Sequence, residues 1–528
     1  MRTKTHEDWM AGARGAMGAR SWACAASIAA VLLGGCRVGP KYVKPSAPAP
    51  PAYKESSPAA YNRAPDGNKQ AANEAWRPAD PQDAALKGKW WEMFNEPELN
   101  TLEDQVNINN QNVKEYFQNF MAARALVREA RSQYFPTLTG GAGFTRSKVP
   151  AAESGGSGVA SSTTGVTGSN FQLPFDVSWE PDLWGRVSNT VREEQYATQV
   201  SAADLENERL TEQADLAEYY FELRGQDALQ DLYNETVKAD QKSLDLTKSL
   251  YETGIDNDES VAQAEVTLED AQEAATGIAT NRAIYEHAIA TLIGKPASSF
   301  SLPVKALMTP VPPIPVGVPS QLLERRPDIA GAERTMAEAN ALIGVETAAY
   351  YPTLSLTGSG GLESSTIGSL FSVPAIFWSA GASATETIFD AGLRKATVAQ
   401  YTAMYNSDVA SYRETVLTAF QQVEDYLATM RVTSEQIQQE AIAVKSAQRY
   451  LNIATSRYET GLDPYLDVIS AQTTLLSDQQ TQVQLRINEM TAAVELVQAL
   501  GGGWNVNQIP AASRIASDAA AKQVSGTP

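Results

Sequence analysis

Residues Phe171 to Glu180 read FQLPFDVSWE. Phe171, Leu173, Phe175, Val177 and Trp179 alternate with Gln172, Pro174, Asp176, Ser178 and Glu180, the period of two that gives a strand one apolar and one polar face. Trp378, Ala380, Ala382, Ala384 and Ile388 alternate more weakly with Ser379, Gly381, Ser383, Thr385 and Thr387. A partner segment precedes each: 136–147, with Leu138, Ala142 and Phe144, and 352–363, with Leu354, Leu356 and Leu362. Each segment matches the length of a tilted transmembrane strand. Tyr134, Phe135, Trp179, Trp184, Tyr350, Tyr351, Phe377 and Trp378 gather near the strand ends, as at a lipid–water interface; core aromatics beneath a soluble sheet are the competing reading.

The two hairpins belong to two copies of one unit. At an offset of 216, Tyr134, Pro136, Thr137 and Leu138 fall on Tyr350, Pro352, Thr353 and Leu354. At an offset of 207, Gly185, Leu210, Thr211, Tyr219 and the tetrapeptide YETG at Tyr251–Gly254 fall on Gly392, Leu417, Thr418, Tyr426 and YETG at Tyr458–Gly461. The offset changes in the first hairpin, which carries a Gly/Ser/Thr insertion at 153–169, expected to form a surface loop. Each copy reads as helix, hairpin, long helix, tight turn, helix. From Leu393 to Thr460 the chain has neither Pro nor Gly, and Val398, Tyr401, Tyr405, Val409, Tyr412, Val416, Ala419, Val423, Tyr426 and Met430 recur in steps of three and four, a coiled-coil-like seam.

Two hairpins supply four strands, and an open four-stranded sheet would leave unpaired amides in hydrocarbon. Closure therefore needs further copies. Two would give eight strands with a filled interior, and three would give twelve strands with an aqueous lumen.

Arg2, Lys4, Arg14 and Arg20 precede a short Ala-rich apolar run, Ser21 to Leu33, which predicts a secretion leader over 1–35 rather than a membrane span. The run ends in Leu33-Gly34-Gly35-Cys36, which resembles the lipobox of bacterial lipoproteins, so Cys36 is the expected lipidation site; an ordinary signal-peptidase site with an incidental cysteine is the competing reading. An extended Pro/Ala-rich tether is expected over 36–88, the first repeat over 89–300, a Pro-rich linker over 301–319, the second repeat over 320–506 and a flexible tail over 507–528. The net charge of −20 disfavours nucleic acid as a partner. Cys24 and Cys36 are the only cysteines, which leaves the rest of the chain without a disulfide framework or a Cys-based zinc site. His287 lies in a helical stretch without a nucleophile motif, and no phosphate-binding loop or dinucleotide fingerprint occurs, so no catalytic residue, cofactor or metal is expected.

LGGCRVGPKY at Leu33–Tyr42, WWEMFNEPELNTL at Trp90–Leu102, WEPDLWGRV at Trp179–Val187, LLERRPDIAGAE at Leu322–Glu333, YYPTLSLTGSGG at Tyr350–Gly361 and the two YETG segments resemble the outer membrane factors, the TolC-like ducts, in their lipidated NodT-like branch. The resemblance covers nearly all of the chain beyond Cys36. It implies a mainly α fold with transmembrane β: a trimeric 12-stranded outer-membrane β-barrel continued by a long periplasmic α-helical barrel, with two repeats per chain. It also implies a homotrimer anchored in outer-membrane lipid, a periplasmic adaptor protein and an inner-membrane pump of the resistance-nodulation-division type. The expected function is that of an exit duct for tripartite efflux. A duct for type I protein secretion and a lipid-anchored coiled-coil scaffold without a pore are the alternatives.

In a duct the chemistry is gating. Gly254 and Gly461 each mark a hairpin tip, where a residue without a Cβ suits a left-handed helix cap. By resemblance these tips ring the periplasmic entrance and meet the adaptor. Asp467 matches an entrance-lining aspartate of the family, whereas the family's second aspartate corresponds to Ser470. Tyr458, Arg457, Asp463 and Asp467 are the gate candidates on the second turn; Tyr251, Gly254, Asp256 and Asp258 are candidates for docking on the first. The carboxylates Asp256, Asp258, Glu259, Asp463 and Asp467 are expected to crowd, raise one another's pKa and attract cations.

Overall fold

The computed structural model describes residues 37–47, 49–50, 52–55, 88–149, 166–307, 309–317, 319–511 and 514–515. The leader, Cys36 and most of the insertion in the first hairpin lie outside the described residues.

After a 3-10 turn at Trp90–Phe94, the first copy runs through α1 (Pro97–Asn109), α2 (Gln111–Ser132), strands β1 (Thr137–Gly140), β2 (Gly143–Val149) and β3 (Val166–Trp179), α3 (Arg186–Glu252) and α4 (Asp258–Leu292). The second runs through a single helical turn, Leu322–Arg325, then α5 (Pro327–Ala348), β4 (Thr353–Ser364), β5 (Ile376–Thr385), α6 (Leu393–Glu459) and α7 (Tyr465–Ala499). α2 and α5 both have 22 residues and start 216 apart; α3 and α6 both have 67 and start 207 apart; α4 and α7 both have 35 and start 207 apart. Every residue of the seam expected on α6 is buried or half-buried. No described helix is long and apolar enough to cross a membrane.

The chain divides into two compact units. One takes the described residues of Met1–Lys44, Ala123–Thr198 and Thr335–Val409, and the other those of Pro45–Ala122, Gln199–Arg334 and Ala410–Pro528. Helices α2, α3, α5 and α6 contribute residues to both.

The first unit holds one antiparallel sheet. β1 and β2 both pair with β3, β3 with β4, and β4 with β5, so the sheet has four strand positions. The strand expected over 136–147 is thus two pieces in one register: Gly140 faces Phe175 and Gly143 faces Gln172. The break lies opposite Pro174, which has no N–H to give the ladder. On the other side Gly361 faces Pro174, where a Cβ would sit 2.2 Å from the Leu173 carbonyl oxygen; glycine lets β4 close on β3. β3 also begins inside the stretch expected to be loop, since residues 166–169 pair with 146–149.

Register places every apolar alternation on one face. Leu138 faces Val177, Phe144 faces Phe171, Leu173 faces Leu362, Leu362 faces Ile376, and Leu356 lies between Trp179 and Ala382. Leu138, Phe144, Phe175, Ile376 and Trp378 on this face are exposed. The opposite face carries Thr139, Gln172, Asp176, Ser178, Ser355, Thr357, Ser359, Glu363, Ser379 and Ser383. An exposed apolar face backed by a polar one is the pattern of a barrel wall between lipid and water.

The second unit has a conventional core. Trp90, Trp91, Phe94, Leu99 and Leu102 pack with Leu216, Tyr220, Phe221, Ile289, Ile487, Met490 and Val497. Each large side chain so buried stabilises by about 1.5–3 kcal/mol, enough to seat the WWEMF turn on the long helices. Arg224 is 2% exposed and donates to Glu98 (2.5 Å), Asp227 (3.0 Å) and the Pro303 carbonyl (2.7 Å). Asp227, fully buried, also accepts from Arg282 Nε (2.7 Å) and the Lys305 amide (2.9 Å). The Pro-rich linker is therefore strapped to the helices. Arg326 of the LERRPDI motif forks onto Asp328 and donates to Gln422 and the Ala499 carbonyl, tying α5 to α6 and the end of α7.

The described parts of the tether are irregular but docked. In the first unit the Val38 amide donates to the Trp184 carbonyl, and Asn189 and Asn340 donate to the Val38 and Pro40 carbonyls. In the second, the Lys54 and Glu55 amides donate to Glu424. At the other terminus, flexibility was expected from residue 507, yet Ile509 is buried with Ala203, Ala330 and Trp504, and Gln199 donates to the Pro510 carbonyl. The small apolar side chains there supply packing that composition alone conceals.

Candidate gate at the paired helix turns

α3 and α6 end in superimposable hydrogen bonds. Gly254 N–H donates to the Tyr251 carbonyl and Ile255 N–H to that of Leu250; Gly461 N–H donates to Tyr458 and Leu462 N–H to Arg457. Gly254 and Gly461 have φ of 73° and 70°, the left-handed cap expected. The next helices start differently. Asn257 caps α4 by accepting from the Ser260 amide, whereas Pro464 precedes α7 without a side-chain cap.

The side chains break the symmetry further. Asp256 and Asp463 are counterparts, and Arg457 is the counterpart of Leu250. Asp463 is held by its own turn: the Arg457 guanidinium forks onto it, with Nη2 at 2.8 Å. Among the described residues no such cation pairs with Asp256. It accepts from the Asn257 amide and the Ser260 hydroxyl on its own turn, and from the Tyr458 hydroxyl of the other repeat at 2.5 Å. Tyr458 is 5% exposed, packs 5.2 Å from the Tyr465 ring and has its hydroxyl 3.2 Å from Thr247 Oγ1. Its counterpart Tyr251 is 47% exposed. The structure thus joins Tyr458 to Asp256 and Arg457 to Asp463. Asp467 is half-buried in the first turn of α7, Asp258 is exposed at the start of α4, and neither belongs to these pairs.

Asp256 and Asp463 titrate against expectation. Partial burial pushes Asp256 up, but the bonds from Tyr458, Asn257 and Ser260 outweigh it and leave its pKa below the ordinary value. Arg457 holds Asp463 low as well. Crowding of like charge is not what governs these two groups; each has its own donor. Burial, then the bond to Asp256, drives the Tyr458 phenol up, so it remains a donor.

Sequence reasoning missed Asp240, more than three turns before the end of α3. It is 3% exposed, burial raises its pKa to about 6, and with burial its charge pushes Tyr465 up to about 12. The signal was a lone Asp between Ala239 and Gln241 without periodic partners, which reads as solvated surface. Asp240 also lines a groove of about 800 Å³ with Tyr233, Val266, Leu466 and Ile469. Because the folded pKa lies above the unfolded one, stability falls as pH rises from about 4 to 6 and the penalty is complete above that range. Asp240→Asn should therefore match the parent near pH 4 and exceed it at pH 7.5 by an amount on the order of 3 kcal/mol, read from denaturation midpoints at both pH values.

Comparison with known proteins decides what these turns belong to. A family model described as outer membrane efflux protein matches residues 102–295 and 318–502, one match on each repeat. The chain belongs to the outer membrane efflux protein family. The probable efflux pump outer membrane protein TtgC of Pseudomonas putida is 31% identical over 483 residues, covering 90% of this chain and 95% of TtgC. The outer membrane protein OprJ of Pseudomonas aeruginosa is 29% identical over 496 residues, covering 91% and 95%. Among solved structures, the outer-membrane channel OprN matches with a TM-score of 0.78 at 26% identity, covering 89% of this chain and all of that one. The CmeC outer membrane channel of Campylobacter jejuni, at 22% identity, shares the fold with a TM-score of 0.78. The fold is that of this family of trimeric outer-membrane channels: mainly helical, with transmembrane strands and two repeats per chain. As a member of the family, the protein is an outer-membrane exit channel for tripartite efflux.

Proposed function

We propose that three copies of this chain enclose one duct, anchored in lipid through Cys36, that receives substrate from a periplasmic adaptor and a pump of the resistance-nodulation-division type. The sheet carries this reading: one face is apolar and exposed, the other polar, and within the chain β1/β2 and β5 form its two edges. In hydrocarbon such edges require partners, and three four-stranded sheets close into a barrel of about twelve strands with room for water. The NodT-like LGGCRVGPKY and the turn motifs support the lipid anchor and the pump class.

In this reading the second turn is the gate and the first the docking tip. The Tyr458–Asp256 bond ties the two hairpins of a protomer together, Arg457–Asp463 stiffens the second turn, and Asp467 lines the entrance. Exposed Tyr251, Gly254 and Asp258 face the adaptor. Opening on complex assembly then means exchanging the Tyr458–Asp256 bond for adaptor contacts.

Purified protein in planar bilayers tests the proposal. A duct gives discrete conductance and an oligomer band three times the protomer mass that collapses on heating. A pore-free scaffold gives neither, and a non-conducting monomer after delipidation overturns the reading.

A further inference from the structure

Among the described residues of the five strands there are two basic side chains, Arg146 and Lys148, and two acidic ones, Asp176 and Glu363. Register separates them by sign. Asp176 and Glu363 lie on the polar face, and Asn170 and Gln172 donate to Glu363. Arg146 and Lys148 are two and four residues beyond Phe144 on β2, so they share the face of Phe144 and Leu138, opposite Ser169 and Thr167, and both are exposed. Chance surface charge would favour the polar face, which a barrel turns to water; both basic residues among the described strand residues are instead on the face turned to lipid.

Their height along the strand explains how they are tolerated. All four helices that adjoin the sheet meet its near end, where Trp179 donates to the Tyr134 carbonyl. From Trp179 to Ser169, the partner of Arg146, is ten residues on β3. At ~3.4 Å per residue and a tilt of ~45° that is a rise of about 24 Å, close to the ~25 Å apolar band of an outer-membrane barrel. With Trp179 at the near interface, Arg146 emerges at the far one, and Lys148 stands about 5 Å beyond it. The helices of a family member are periplasmic, so the far interface is the outer leaflet.

We propose that Arg146 and Lys148 form a binding site for the phosphate groups of the anionic glycolipid of that leaflet, one site per protomer. The planar guanidinium of Arg146 matches two phosphate oxygens at once, and the ammonium of Lys148 adds a point charge on the same strand. Phe144 and Phe171, with ring centroids 4.7 Å apart, lie one step below on the same face, where the first acyl carbons would run. The inference rests on the outer-membrane channel reading, which fixes which end of the sheet faces outward.

The test uses the full chain in detergent micelles, with lipopolysaccharide as the probe and retention measured by co-purification and by the shift in melting temperature. The parent should retain lipopolysaccharide, and R146Q/K148Q should bind it about 10-fold more weakly, as expected for two lost cations at an anionic surface. Phosphatase-treated lipopolysaccharide should bind the parent as weakly, a comparison that needs no variant. Inorganic phosphate at millimolar concentration should not displace the lipid. Equal retention by the parent and R146Q/K148Q, or of treated and untreated lipid, overturns the site. Bilayer conductance of the same preparations separates the two levels: a conducting channel with unchanged retention sinks only this inference, and a non-conducting parent sinks the channel reading itself.

Discussion

Tyr458→Phe should raise the channel's open population in planar bilayers by about 10–100-fold per protomer. The hydroxyl donates to a carboxylate, and a hydrogen bond to a charged group contributes about 1.5–3 kcal/mol, one to two decades of equilibrium. The ring itself stays, so its packing on Tyr465 is preserved and the change reports the hydroxyl's contacts with Asp256 and Thr247. Asp256→Asn should act in the same direction. The double variant should add little to either single one, because both remove one interaction and their coupling energy should account for most of each effect. Asp463→Asn provides the contrast. Its pair with Arg457 is exposed and within one turn, so a gain of at most a few-fold is expected. Additive effects of Tyr458→Phe and Asp256→Asn, or closed-state conductance in both, would remove the bond from the gate. The pH dependence has a defined sign. The folded pKa of Asp256 is depressed, so its contribution is present above the unfolded value near 4 and is lost only as pH falls below it. Opening at mildly acidic pH, between 5 and 6, would point to Asp240 instead.

Arg224→Met should cost about 3–5 kcal/mol, the largest stability loss among the substitutions considered. Arg224 and Asp227 are 2% and 0% exposed, and removing the guanidinium strands a carboxylate that has only Arg282 and one amide left to satisfy it. It also frees Glu98 at the start of α1 and the Pro303 carbonyl of the linker. Arg224→Lys should recover roughly half of the loss, because the ammonium keeps the charge but cannot reach three acceptors in fixed directions. The denaturation midpoint followed by tryptophan fluorescence reads this directly, since Trp90 and Trp91 are buried in the same core. A loss below about 1 kcal/mol for Arg224→Met would show that Arg282 alone carries Asp227.

Much of the fold was legible because its signals are local and periodic. The length of α6 follows from its run without Gly or Pro, and the 216 and 207 offsets of the repeat hold residue for residue in α2/α5, α3/α6 and α4/α7. The strands were legible for the same reason, since alternation along FQLPFDVSWE survives any change of partner. The break between β1 and β2 was not, because it depends on Pro174 lying across from it in the sheet. LERRPDI was recognisable as a motif, but nothing in it names Gln422 or Ala499 as the partners of Arg326.

The gate divides along the same line. The sequence by itself determined two equivalent turns, their left-handed glycines, their carboxylates and the repeat that relates them, since each follows from a residue's own conformational preference or charge. Only the tertiary structure decided which carboxylate answers to which donor. Leu250 stands where Arg457 stands in the other copy, so Asp256 lacks a cation on its own turn and takes a hydroxyl from residue 458, 202 positions away. Burial likewise separates Tyr458 from Tyr251, two tyrosines each followed by Glu-Thr-Gly, because the side chain that packs is set by the helices around it rather than by the tetrapeptide it belongs to.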